Sequence, residues 1–467
     1  MFNINKLRKY KNRIAIVDQN NETISYNDLL IFVKILSKKI KTKSLIFLVC
    51  GNNLESIIGY ISSVSTNSTM VLIDEKIKNI HLQELIKTYK PEKIFINKSI
   101  KKFKSYKIKF CFKNFFLYER EIKTKVKINN NLILLVPTSG STGSSKYVRI
   151  SKKNLLNNTE SIIKYLNLKK NDVCITTLPM NYVYGLSVLN THLHVGAKII
   201  LNNRSVIEKY FWEAIVSHKV TNFSGVPFTF EILNKINFYN KNLKYLKFLT
   251  VAGGRLNNEI LRKIIKKFTS KSKRFYVMYG AAEATARMSY LPIKYLKKKI
   301  GSIGIPIRGG KFWLENVQGN KILKNNKNGE LVYSGKNVSM GYARKLNDLS
   351  KADDNKGVLK TGDIAYKDKD GFYYLVGRKD RYIKIHGNRI NLSELENNIS
   401  KLGISSICKF KDGFIKIFVT TIKDKNNIKA NLNIISNLHF SVFDFKIIKK
   451  LPTNKNYKLS YNDKILK

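Results

Sequence analysis

Residues 132–146 read LILLVPTSGSTGSSK, five apolar residues followed by a run of small hydroxyl-bearing residues and glycine that ends on Lys146. The apolar run at 132–136 has the length of a buried strand and is too short for a typical helix. The loop that follows is rich in donors and poor in bulk. Gly140 and Gly143 let the backbone approach a ligand closely, Thr138, Ser139, Ser141 and Thr142 carry hydroxyls, and Lys146 supplies a point charge. The spacing matches neither the phosphate-binding pattern G-x-x-x-x-G-K-[ST] nor the dinucleotide pattern G-x-G-x-x-G. Taken alone, such a composition is more often a Gly/Ser surface turn than a polyanion cradle.

Working outward, short apolar runs at 44–50, 70–73 and 93–96 alternate with helix-period segments such as 53–65, which predicts an α/β architecture. At 467 residues the chain exceeds the ~250–300 residues at which single cores stop growing, so more than one unit is expected. Apolar residues make up 43% of it, enough to bury a sizeable interior and to exclude disorder. The expected junction lies at Gly377-Arg378-Lys379-Asp380-Arg381, after a strand at 372–376, dividing the chain into units 1–379 and 380–467. The second unit reads as small and α+β. It has strands at 382–385, 414–420 and 442–448, a turn at Gly387-Asn388, and a capping box formed by Ser393 and Glu396.

The formal charge of +54, from 86 Lys+Arg against 32 Asp+Glu, is spread along the whole chain and is mostly lysine. A nucleic-acid footprint is instead a localised patch interleaved with aromatics, so specific nucleic-acid binding is not expected, whereas an acidic protein partner is favoured. Cys50, Cys111, Cys174 and Cys408 form no C-x-x-C pair, so buried free thiols are expected. No signal-peptide core and no long apolar run occurs, which predicts no membrane span and a cytoplasmic location.

Five segments in order, TSGSTGSSK (138–146), YGAAE (279–283), GELVYSGKNVSMGY (329–342), TGD (361–363) and GRKDRYIKIHGNRI (377–390), resemble the adenylate-forming, or AMP-binding, superfamily. Acyl-CoA synthetases, aryl-acid ligases and peptide-synthetase adenylation domains belong to it. Early residues 24–29 and the late LPTNKNYK (451–458) extend the likeness over most of the chain. The resemblance implies a large N-terminal domain of several subdomains and a small C-terminal domain that rotates about a hinge. It also implies ATP-dependent activation of a fatty, hydroxy or aryl acid as acyl-AMP, with Mg²⁺, then transfer to the thiol of CoA or of a carrier protein's phosphopantetheine.

Residue by residue, the likeness makes Thr138, Ser139, Gly140, Ser141, Thr142, Gly143 and Lys146 a cradle for the β and γ phosphates. Tyr279, Gly280 and Ala281, with Gly253, Gly254 and Arg255, shape the adenine pocket, and Glu283 holds Mg²⁺. Asp363 accepts from the ribose hydroxyls with Arg378 assisting. Asp380 is the hinge, Lys384 serves the thioester-forming pose, and Lys458 bridges the acid carboxylate and the α-phosphate.

The substrate-side segment Leu178-Pro179-Met180-Asn181-Tyr182-Val183-Tyr184-Gly185 resembles the family's L-P-x-x-H-x-x-G, with Tyr182 in place of His. Asn181, Tyr182, Gly185 and Arg287 are the expected pocket residues. Arg287 is read either as a ligand for a second polar group of the acid or as a structural ion-pair partner. No acidic residue occurs between Asp172 and Glu208, which disfavours an α-amino acid. Two departures stand out: Ala282 occupies the place of the family's Thr, and Tyr457 that of the glycine before the late lysine. They keep open a member that binds nucleotide without turnover; the charge keeps open a basic nucleic-acid-binding protein.

Overall fold

The computed structural model describes residues 7–41, 43–98, 103–122, 127–138, 146–385, 388–436, 438–453 and 459. Two large sheets enclose the principal core. In the eight-stranded sheet, Leu132–Pro137, Thr69–Asp74, Leu45–Cys50 and Lys93–Asn97 run parallel, flanked by antiparallel strands, Tyr147–Ser151 and Tyr342–Ala343 on one side and Phe115–Arg120 and Tyr106–Phe112 on the other. The central strands are near-continuous apolar runs because both faces are covered. Pro137 stands opposite Tyr147, so the Gly/Ser segment joins two paired neighbours.

The nine-stranded sheet has a parallel centre of six strands. In spatial order they are Arg274–Tyr279, Phe248–Val251, Asn222–Gly225, Val173–Ile175, Lys198–Ile200 and Ile14–Val17. Helices Tyr26–Ile40, Leu54–Ser65 and Val183–Val195 fill the space between the sheets, sharing one apolar cluster with residues of both. Helices Lys209–Ser217, Pro227–Lys235 and Asn258–Lys267 cover the other face. The early segment at 24–29 is structural: Ser25 and Asp28 form a capping box, and the buried Tyr26 hydroxyl donates to the Ala197 carbonyl at 2.7 Å.

A four-stranded antiparallel sheet, Lys311–Glu315, Gly329–Ser334, Val358–Lys367 and Tyr373–Arg378, follows. After it come the hairpin Tyr382–Ile385 and Asn388–Asn391, helix Leu392–Ser400, and the sheet Ile407–Lys411, Phe414–Val419 and Phe443–Ile447. This last part encloses a separate apolar cluster that includes Leu395, Ile399, Ile415 and Ile417. The chain is thus mixed α/β with a large N-terminal part.

Two expectations need correction. The helix at 392 is capped by Asn391, whose side chain accepts from the Ser393 and Glu394 amides, rather than by Ser393. Glu396 is taken up elsewhere, by Arg381 at 2.8 Å and by the Cys408 amide at 2.7 Å. Of the four cysteines, Cys111 is exposed on an edge strand, while Cys50, Cys174 and Cys408 are buried free thiols. Among the described residues no helix is long and apolar enough to cross a membrane.

Candidate active site

Parallel strands leave the nine-stranded sheet along one edge, and ligands of such sheets bind outside the carboxyl ends of the strands. At that edge Asn222–Gly225 leads into Val226-Pro227, Phe248–Val251 into Ala252-Gly253-Gly254-Arg255, and Arg274–Tyr279 into Gly280. Gly253 has φ +89°, and a Cβ on Gly254 would lie 3.2 Å from Pro227 Cγ, so the two loops touch through glycine. The Arg255 side chain is exposed.

Gly280 lets the chain double back. A Cβ there would sit 1.8 Å from the Ala286 carbonyl oxygen. The turn closes through a 3₁₀ segment, Ala282–Ala284, and through Thr285, which has φ +66° and donates its hydroxyl to the Asn337 carbonyl at 2.6 Å. Glu283 is thereby held with its carbonyl accepting from the Ser339 amide at 2.8 Å and its Oε1 accepting from the Tyr342 hydroxyl at 2.8 Å. Burial first, and then Glu283, push the Tyr342 phenol up and keep it a donor. The Lys146 ammonium lies 3.8 Å from the centroid of the same ring. Tyr342 therefore links the end of the Gly/Ser segment to Glu283 through a cation–π contact and a hydrogen bond.

A second cluster joins the nine-stranded sheet to the four-stranded one. Tyr279 donates its hydroxyl to Asp363 Oδ2, and Arg378 Nη1 donates to Asp363 Oδ1 at 3.0 Å. Asp363 and Arg378 stand opposite each other in adjacent strands, with Gly362 at φ +71° re-aiming the chain just before the carboxylate. Burial pushes the Asp363 carboxyl up, and the Arg378 guanidinium opposes that rise. Arg378 Nε also reaches Asp380 Oδ1 at 3.4 Å; the Asp380 side chain is otherwise exposed.

The substrate-side segment packs onto the start of helix Val183–Val195. A Cβ on Gly185 would lie 2.2 Å from the Pro179 carbonyl oxygen, so glycine is required for this approach. Asn181 is buried, and burial pushes the Tyr182 phenol up to about 12 against the charge of Arg287. Arg287 itself borders a narrow crevice of about 10 Å³, room for roughly one water, lined also by Tyr184, His192, Ser224 and Thr250.

Ser139, Gly140, Ser141, Thr142, Gly143 and Lys458 lie outside the described residues, as does the side chain of Lys384. Among the described residues no three His, Cys, Asp or Glu side chains converge as a metal cage. The donor set around Glu283 suits a Mg²⁺ that takes one carboxylate and draws its other oxygens from phosphates and water. Sequence reasoning passed over Tyr342 and Tyr184. The first closes a motif and the second sits inside one, so each was quoted without a role.

The sequence profile of the AMP-binding enzyme family matches residues 5–343. The chain is 27% identical over 282 residues to the 4-coumarate–CoA ligase-like protein 2 of Arabidopsis thaliana, covering 60% of this chain and 49% of that protein. It is 26% identical over 363 residues to the D-alanine–D-alanyl carrier protein ligase of Listeria welshimeri, covering 73% and 69%. The match thus spans about half the length of some curated relatives and about two thirds of others. The structure superposes on the o-succinylbenzoate coenzyme A synthetase of Bacillus subtilis in complex with ATP and magnesium ion with a TM-score of 0.76. At 19% identity, over 97% of this chain and 98% of that one, this likeness speaks to the fold alone. With nearly three quarters of its length matched by that profile and its fold shared with such enzymes, the chain belongs to the AMP-binding enzyme family.

Proposed function

We propose that the protein is an acid–thiol ligase working through an acyl adenylate. A carboxylate oxygen of the acid attacks the α-phosphorus of ATP, and the bond from that phosphorus to the bridging oxygen breaks, releasing pyrophosphate. A thiol then adds to the acyl carbonyl and AMP departs, leaving a thioester.

The observation that carries this reading is the Tyr279–Asp363–Arg378 cluster at the carboxyl edge of the parallel strands. The phenol and the guanidinium each occupy one lone pair of Asp363, and the carboxylate retains acceptor capacity for two ribose hydroxyls. The Tyr279 ring and the loops at Gly253-Gly254 and Gly280-Ala281 are assigned to adenine on the sequence motifs. Glu283 is assigned to Mg²⁺, which when bound neutralises charge on the phosphates. Lys146 supplies a cation beside it, after the Thr138 to Gly143 segment assigned to the β and γ phosphates. The assignments of Lys458 to the reacting carboxylate and α-phosphate, and of Asp380 and Lys384 to a second pose, rest on the sequence motifs.

The acceptor is assigned to the CoA or carrier-protein phosphopantetheine class, in keeping with the named activities of the relatives. Among the described residues the crevice beside Tyr184 is lined by a guanidinium and no carboxylate, which supports an acid without an α-ammonium. The test is acid-dependent exchange of labelled pyrophosphate into ATP across a panel of carboxylic acids. Lys458→Ala is expected to abolish exchange while sparing thiol capture of a preformed adenylate. Equal loss of both steps refutes its role, and a panel with no active acid refutes the activity.

A second reading, nucleotide binding without turnover, is favoured by one observation. The Ala282 side chain packs against the apolar core, and the nearby Thr285 hydroxyl is committed to Asn337, so neither offers a hydroxyl to a phosphate. ATP binding without exchange distinguishes it.

A further inference from the structure

The strand Tyr342–Ala343 is short, yet it is held from several sides. It pairs with Tyr147–Ser151, the strand that follows the Gly/Ser segment, and Tyr342 stands opposite Val148. The Arg149 amide donates to the Gly341 carbonyl, and the Met340 amide donates to the Arg149 carbonyl. The Arg149 side chain, 0% exposed, meets Asp354 Oδ2 at 2.6 Å and donates to the carbonyls of Met340, Lys351 and Ala352. A buried cation that gathers three carbonyls and a carboxylate around one point fixes the backbone on either side of it. Lys146 lies just before Arg149 in the chain and Tyr342 just after Met340, so one anchor sets the origin of both side chains.

Glu283 arrives at the same point from the turn after Gly280. Its carbonyl accepts from the Ser339 amide at 2.8 Å. The Tyr342 hydroxyl donates to Glu283 Oε1 at 2.8 Å, and among the described residues Oε2 has no bond. The Lys146 ammonium lies 3.8 Å from the Tyr342 ring centroid. One phenol thus gives its hydroxyl to an anion and its ring face to a cation. Arg344 and Arg378 are near enough for their charges to act on that phenol, so this group adjoins the Asp363–Arg378 cluster. The Tyr342 ring also packs against the apolar core. Packing and the contact with Lys146 need only a ring, whereas a half-buried hydroxyl needs a partner, and here the partner is Glu283. A hydrogen bond of this kind settles which way a carboxylate faces, and losing one behind a metal ligand typically costs ~10- to 100-fold in metal affinity.

We propose that Tyr342 is a positioning residue that couples the two cations of the nucleotide site, turning Glu283 toward Mg²⁺ through its hydroxyl and holding Lys146 beside the phosphates through its ring. The inference rests on the acid–thiol ligase reading, in which Glu283 serves Mg²⁺ and Lys146 the phosphates, and it adds the residue that ties them together.

The test is the dissociation constant of ATP by calorimetry, measured in saturating Mg²⁺ and in EDTA; the ratio of the two values is the gain due to the metal. In Tyr342→Phe the value in EDTA should stay within about 2-fold of wild type, because the ring and its contact with Lys146 remain, while the gain should shrink about 10-fold. Tyr342→Leu loses the ring as well and should also bind ATP about 2- to 5-fold more weakly in EDTA. On a Glu283→Gln background, which lacks the metal carboxylate, Tyr342→Phe should change the gain by less than about 2-fold. A ring that merely packs gives another pattern: Tyr342→Phe weakens ATP by the same factor with and without Mg²⁺, and its effect adds in full to that of Glu283→Gln. Either result overturns the proposal, as does a Tyr342→Phe protein that matches wild type throughout. Should Tyr342→Leu fail to fold, Tyr342→Phe and the double variant decide alone. A wild-type protein that gains nothing from Mg²⁺ overturns both the proposal and the assignment of Glu283. Pyrophosphate exchange judges the ligase reading separately: a metal gain that Tyr342→Phe diminishes, with no exchange for any acid, upholds the role of Tyr342 and refutes the activity.

Discussion

At the scale of single residues, Asp363 is the most informative side chain, because two groups from two sheets, Tyr279 and Arg378, depend on it. Replacing it with Asn leaves the half-buried Arg378 without its carboxylate and removes one acceptor oxygen. The expected result is a rise of about 10- to 100-fold in the dissociation constant for ATP, measured by calorimetry. Tyr279→Phe keeps the ring and loses only the hydroxyl bond to Asp363, so its effect should be smaller, at most about 10-fold. Equal effects, or none, remove the ribose role. Tyr279, Asp363 and Arg378 were legible as a set because each falls inside a motif. Tyr342 was not, since its meeting with Glu283 and Lys146 joins residues 59 and 196 positions apart. Local rules also misplaced a cap. Asn391 and Ser393 are both good N-cap residues; the cap is Asn391, and Glu396, which a Ser393 capping box would need, is taken by Arg381 and the Cys408 amide.

At the scale of elements, what the sequence makes plain is the set of buried strands. Runs such as 45–50 and 132–136 are apolar at every position because sheets covered on both faces demand it. The spatial order of the strands was not legible. Ile14–Val17, the first strand, lies beside Lys198–Ile200, a pairing that no local pattern announces. The turns at strand ends are fixed by backbone proximity, and Gly280 is the sharpest case. With the Ala286 carbonyl oxygen 1.8 Å from where a Cβ would go, Gly280→Ala must push apart the turn that carries Glu283 and Thr285. We expect a loss of about 3 kcal/mol in unfolding free energy by urea titration, the upper range for overpacking. ATP binding should weaken beyond what that loss of stability explains. A variant as stable as the wild type contradicts the geometry.

At the scale of the whole molecule, the charge of +54 has to be given a consequence. Exposed charges barely alter chemistry at a buried site, but they set the rate at which charged partners arrive, and salt screens them. Pyrophosphate exchange, once ATP and acid are saturating, should respond little to ionic strength. Transfer to an acidic carrier protein bearing phosphopantetheine should fall about 10-fold in kcat/KM between ~50 mM and ~500 mM salt, because long-range attraction steers that encounter. Free pantetheine, which offers the same thiol without charge, is the control and should show no such fall. Parallel salt profiles for pantetheine and the carrier protein would argue that the basic surface has no part in choosing the acceptor. A steep profile for the carrier alone would assign the lysine excess to partner recognition and favour a carrier protein over CoA.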